Sequence, residues 1–208
     1  MQTDTSTAAL APSLIASRGM TALGEAVVVV LGSFVLVASA KVFVPFFPVP
    51  MTLGTLGVMA IAAAFGTRLG LLTVLAYLGE GLAGLPVFTY TPPAFAGPAY
   101  FLGPTGGFLA GYIVLAIIVG AAADRGWSHS PMKLFAAVLL GDAVLFAMGF
   151  GWFAGFAHMA SGATGAGAAI AWAKGVQPFI LGDLLKVVLT AAAVPAAWNA
   201  VEALNLRR

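Results

Sequence analysis

Four charges stand where an apolar chain has least use for them: Glu80, Asp142, Asp183 and Lys186. Each falls in or at the end of a long hydrophobic run. A charge at the centre of a membrane span costs about 2.5–3.5 kcal/mol on insertion scales, so each needs a partner or a polar cavity. Asp183 and Lys186 are spaced i, i+3 and share one face of a helix. Two readings stay open for them. The pair neutralises itself within the last span, or it binds, with Asp183 accepting N–H groups from a polar head and Lys186 attracting a carboxylate. Glu80 is either a second acceptor or an interfacial residue at the end of a short span. Asp142 lies nearer the cytoplasmic side of its span and suits helix–helix hydrogen bonding better than substrate contact. Glu25, Lys41 and Lys133 are close enough to span ends to reach headgroups.

Other chemistry is poorly supplied. Cysteine is absent, which excludes disulfides, thiolate metal sites and cysteine nucleophiles. Two histidines, His129 and His158, are too few and too far apart for a histidine metal cluster. The glycine-rich segments lack the G-x-x-x-x-G-K-[ST] pattern that cradles phosphates, so energy for any transport comes from another chain or a gradient. An enzyme using Asp142 and Asp183 as a carboxylate pair would lack a nucleophile, metal set or cofactor motif beside it. The expectation is therefore no enzyme and no cofactor. A purely structural membrane subunit would leave the proline-aromatic loops without purpose. The net charge of +2 gives no argument for nucleic-acid binding.

The elements that position these charges are hydrophobic helices. The 208 residues are 61% hydrophobic and only 8% charged, with mean hydropathy +1.04, against about 25% charged in soluble domains. This composition predicts an all-α integral membrane protein. Six spans are expected: Leu23–Val44, Met51–Phe65, Leu69–Leu82, Gly107–Ala123, Met132–Phe156 and Gln177–Ala200. The second and third are short for a crossing that needs about 20 residues. They are two short spans or one re-entrant hairpin, and Arg68 between them favours two. A short cytoplasmic tail (1–21), one membrane domain (22–201) and a C-terminal tail (202–208) complete the division.

With both termini in the cytoplasm, that side holds Arg18, Arg68, Arg125, Lys133, Arg207 and Arg208, and the outer side holds Lys41 and Lys174. This follows the positive-inside rule. It puts PFFPVP (Pro45–Pro50), Gly84–Gly107 and the His158–Lys174 loop on the outer face. Gly84–Gly107 contains Pro86, Pro92, Pro93, Pro98 and Pro104, which forbid a regular helix. It also contains Phe88, Tyr90, Phe95, Tyr100 and Phe101, large apolar groups that seek burial. A structured ligand loop is expected there. At the start of the first span, Ala22-x-x-x-Ala26 offers a close-packing patch.

Four elements in order carry a resemblance: PFFPVPMTLGTL (Pro45–Leu56), GLPVF (Gly84–Phe88), GPTGGF (Gly103–Phe108) and PFILGDLLK (Pro178–Lys186). Over about Ala22–Ala200 the chain resembles BioY, the biotin-specific membrane S component of energy-coupling-factor (ECF) vitamin transporters. The resemblance implies a six-helix S-component fold in a bacterial inner membrane, with an outward-facing biotin site closed by loops. It implies that Asp183 and Lys186 contact the ligand, with Glu80, Phe88, Tyr90 and Tyr100 as further candidates. It also implies a transmembrane coupling protein packing on Ala22 and Ala26, together with two ATP-hydrolysing subunits. Action without those partners, self-association as a homo-oligomer, and another small carboxylated vitamin as substrate stay open. The chain departs from the family at Gly54 and Phe108, where Gln and Tyr are common. It has no Lys or Arg between Phe88 and Leu102.

Overall fold

The computed structural model describes residues 21–45, 49–89, 97–161 and 166–205. Arg18, Tyr90, Phe95, Arg207 and Arg208 lie outside them. The described residues are almost entirely helical. Five helices are long and apolar enough to cross a membrane: α1 (Ala22–Lys41), α2 (Gly54–Leu82), α4 (Gly106–Asp124), α5 (Pro131–Ser161) and α7 (Ile180–Asn205). The short helices α3 (Pro98–Phe101) and α6 (Ala166–Ala171) lie between them.

Thr21 opens α1, its hydroxyl accepting the Gly24 N–H at 3.3 Å. The helix stops at Lys41, short of the expected Val44. β-Branched Val42 and Val44, the latter biased away from the helical region by Pro45, are extended instead. Phe43–Val44 (β1) pairs antiparallel with Met51–Thr52 (β2), Phe43 opposite Thr52. Thr52 then receives the Gly54 N–H at 3.0 Å as α2 begins.

The run Gly54–Leu82 is not one straight rod. Gly66 has φ 74° and ψ −174°, a left-handed-side conformation that a residue with a Cβ resists. The arms fold back on each other at this point. A Cβ on Gly70 would stand 3.0 Å from Ala62 Cα, although eight residues of straight helix span about 12 Å. The backbone groups freed by the turn are satisfied from outside. Ser128 donates to the Ala63 carbonyl at 2.8 Å, and the Thr67 N–H donates to Asp124 Oδ2 at 3.1 Å. Arg68 pairs with Glu25 at 2.8 Å, tying this turn to the start of α1.

The second arm of α2 carries Tyr77 and Gly81 towards the other end of the bundle. The main core joins α1, both arms of α2, α4, α5 and α7 through residues such as Leu36, Val58, Met59, Val74, Leu115, Leu145 and Val187. A satellite cluster of Val49, Phe153, Ala157, Ala171 and Phe179 packs α5 and α6 against the segment before α7. The expected His158–Lys174 loop is largely helical: α5 runs on to Ser161, and α6 leads into a π-helical turn, Trp172–Val176. Alanine-rich composition explains this, since alanine is the best helix former.

Candidate functional site

Asp183 lies in the first turn of α7 and Lys186 one turn later. Their side chains meet: Lys186 Nζ donates to Asp183 Oδ1 at 2.8 Å. Thr55, in the first turn of α2, joins both. Its hydroxyl donates to Asp183 Oδ1 at 2.8 Å and accepts from Lys186 Nζ at 2.9 Å. Asp183 is 2% exposed and Lys186 6%. The three form a closed triangle in which each polar group has a partner, as buried charge requires. Capacity is left over. No described donor reaches Asp183 Oδ2, and a lysine ammonium has a third N–H.

The triangle forms one wall of a cavity with about 630 Å³ of space, counted out to its mouth. Six aromatic rings stand in the remaining wall: Tyr77, Phe88, Tyr100, Phe108, Phe146 and Phe179. Thr52, Thr89, Thr105 and Tyr112 add hydroxyls.

Phe88 anchors the aromatic wall. Its ring stacks on Tyr100 with centroids 4.7 Å apart and planes 20° apart, and it meets Tyr77 and Phe101 edge-on at 5.3 and 5.5 Å. It rests on Gly81, where a Cβ would come within 2.2 Å of the ring. Three hydrogen bonds fix this part of the loop. Tyr100 donates to the Thr89 carbonyl at 2.9 Å, Lys41 Nζ donates to the Phe88 carbonyl at 2.6 Å, and the Thr89 hydroxyl donates to the Ala40 carbonyl. Burial pushes the Tyr100 phenol above its ordinary pKa, so it remains a donor.

The structure therefore gathers Asp183, Lys186, Phe88 and Tyr100 around one cavity. Tyr90 lies outside the described residues. Glu80 does not line the cavity: it accepts from Ser33 at 2.7 Å and ties α2 to α1. Asp142 also lies off the cavity, 6% exposed, with Oδ1 lacking a hydrogen-bond partner. Ala22 and Ala26 are exposed on α1. Among the described residues no group of three His, Cys, Asp or Glu is placed to hold a metal ion.

Sequence reasoning passed over Thr55, Tyr77 and Tyr112, which line the cavity. Thr55 is 128 residues from Asp183, and no local pattern ties them. Its presence in PFFPVPMTLGTL was the available signal. The departure at Gly54 has a packing counterpart, because a Cβ there would stand 2.6 Å from the Tyr112 hydroxyl oxygen.

Residues 9–203 match the model of the BioY family. The chain is 34% identical over 179 residues to the biotin transporter BioY of Rhizobium etli, covering 83% of this chain and 87% of that one. It is 36% identical over 177 residues to the biotin transporter BioY of Rhodobacter capsulatus, covering 78% and 88%. Its fold is similar to the crystal structure of the S-component for biotin from an ECF-type ABC transporter. The TM-score is 0.68, with 25% identity over 87% of this chain and 95% of that one.

Proposed function

The chain belongs to the BioY family, and from that membership and the cavity we propose that it is the substrate-binding membrane subunit for biotin uptake. The observation that carries the reading is the Asp183–Lys186–Thr55 triangle set into an aromatic cavity. Biotin has a planar ureido head, an apolar bicycle and chain, and a carboxylate at the far end. Asp183 Oδ2 accepts a ureido N–H, and the third Lys186 N–H meets the ureido carbonyl. Because the two side chains bind each other, they address the same end of the ligand. The rings of Phe88 and Tyr100 flank the apolar middle.

Binding at this site needs a ligand that matches it polar group for polar group, since an unpaired buried donor or acceptor costs about 1–3 kcal/mol. A fatty acid of similar volume has no such head. This favours biotin over apolar carboxylates.

The protein is a multi-pass bacterial membrane protein. Counting the two arms of α2 separately gives six spans, a reading supported by the reversal at Gly66. The charge distribution supports cytoplasmic termini, with residues 1–21 and 202–208 as tails around one membrane domain. The cavity, Lys41 and the Gly84–Gly107 stretch then face outward. The relatives are named as transporters, and the chain acts by binding and reorienting without catalysing a reaction. Exposed Ala22 and Ala26 suit a transmembrane coupling protein served by two ATPase subunits.

The test is uptake of radiolabelled biotin by cells lacking their own transporter, with this chain expressed alone and with a coupling module. Uptake above the empty-vector level in either setting supports the function. Uptake at background in both, from a chain verified in the membrane, contradicts it.

A further inference from the structure

We propose that Lys41 is the residue that recognises the substrate carboxylate at the mouth of the cavity. The inference rests on the biotin reading above and extends it to the end of the ligand that the triangle leaves unaddressed. Lys186 already donates to Asp183 and Thr55, and its charge is balanced by Asp183 at 2.8 Å. A carboxylate placed there would meet a neutral pair and a bare carboxylate oxygen. The anionic end of the ligand therefore needs a cation elsewhere on the wall, and the loop from Phe88 to Leu102 contains none.

Lys41 meets the need from the end of α1. Its Nζ donates to the Phe88 carbonyl at 2.6 Å, and Phe88 lines the cavity. The residue before Lys41, Ala40, and the residue after Phe88, Thr89, line it too, and they are joined by a hydrogen bond. Lys41 is not itself among the lining residues, but its ammonium bonds to one of them, beside the Thr89–Ala40 link between two others. The residue is exposed, whereas Asp183 and Lys186 are buried. Head and tail are thus met at different depths. An ammonium carries three donors, and the Phe88 carbonyl occupies one. The others can take a carboxylate while the loop stays tied to α1. Charge-assisted bonds of this kind are the stronger ones.

The test separates recognition of charge from mere pinning of the loop. Equilibrium binding of biotin and of its neutral amide is measured on the purified full chain, for the wild type, Lys41→Met and Lys41→Arg. The wild type is expected to favour biotin over the amide by roughly tenfold or more. Lys41→Met should erase that preference by weakening biotin alone, and Lys41→Arg should keep most of it. Equal weakening of both ligands in Lys41→Met, or an undiminished preference, overturns the proposal. So does Lys174→Met erasing the preference while Lys41→Met retains it. A wild type that binds neither ligand overturns the biotin reading itself, whereas a wild type that binds both and an unchanged Lys41→Met overturn only this assignment.

Discussion

Lys186 Nζ sits 2.8 Å from Asp183 Oδ1, one helical turn away on α7, and Thr55 bonds to both from α2. The buried pair is at once self-satisfied and part of a cavity wall. Its two readings, a neutral pair and a binding pair, are not alternatives. Pairing keeps the buried charges tolerable, and on the biotin reading the unused Oδ2 and third N–H are what the ligand would engage.

Asp183→Asn and Lys186→Met should therefore each weaken biotin binding by at least roughly tenfold, about 1.4 kcal/mol. Each single change also leaves a charge uncompensated in the interior, and breaking such a pair costs about 3–5 kcal/mol of stability. The double variant Asp183→Asn/Lys186→Met should melt at a higher temperature than the Asp183→Asn single variant and still not bind. Calorimetry and thermal unfolding in detergent check both points. Unchanged affinity in both single variants would make the pair purely structural.

Gly81 supports the site through the space it leaves. Gly81→Ala puts a methyl where the Phe88 ring lies, within 2.2 Å. The ring and its stack on Tyr100 must then shift, and biotin affinity should fall by roughly tenfold. Gly79→Ala, two residues earlier on the same arm, meets nothing within 4 Å and should bind as the wild type does. Equal affinities for the two variants would detach Phe88 from the site.

Tyr100 gives a pH prediction. Its folded pKa is raised by burial, so the phenol donates to Thr89 throughout the range below the ordinary tyrosine value of about 10. The contribution of this bond is fully present there and is lost only as pH rises through the raised value. Biotin affinity should therefore be flat from about pH 7 to about pH 9 as far as this group is concerned. Tyr100→Phe should lower affinity a few-fold by an amount independent of pH, read from binding isotherms at three pH values. A loss that varied across this interval would mean that the phenol titrates within it.

At the opposite end of α1, Ala22 and Ala26 are exposed. Ala22→Trp should leave biotin affinity unchanged and impair co-purification with a coupling protein, because a bulky ring prevents close helix approach. Retained assembly would remove this patch from the account.

Much of the site was legible in the sequence because its signals are local. Asp183 and Lys186 share a face by spacing alone, and the proline-aromatic stretch announces itself in an apolar chain. Glu80 shows where locality fails. Its position beside the loop left a second acceptor or an interfacial residue open, whereas the side chain accepts from Ser33, 47 residues earlier, and no spacing rule reaches that far. Thr55 was missed for the same reason. Lys41 looked like a headgroup lysine because it ends a span, and its carbonyl partner is likewise 47 residues away. The reversal at Gly66 was common to both options, two short spans or one re-entrant hairpin, since a Gly-Thr-Arg interruption marks a break without saying how the arms pack.

The most direct test is equilibrium binding of biotin to the purified, detergent-solubilised chain without nucleotide or partner subunits, against a panel of other carboxylated vitamins. The account predicts saturable binding of biotin, one per chain, with the other vitamins failing to displace it. No binding of biotin, or tighter binding of a different vitamin by a chain that unfolds cooperatively, would contradict it.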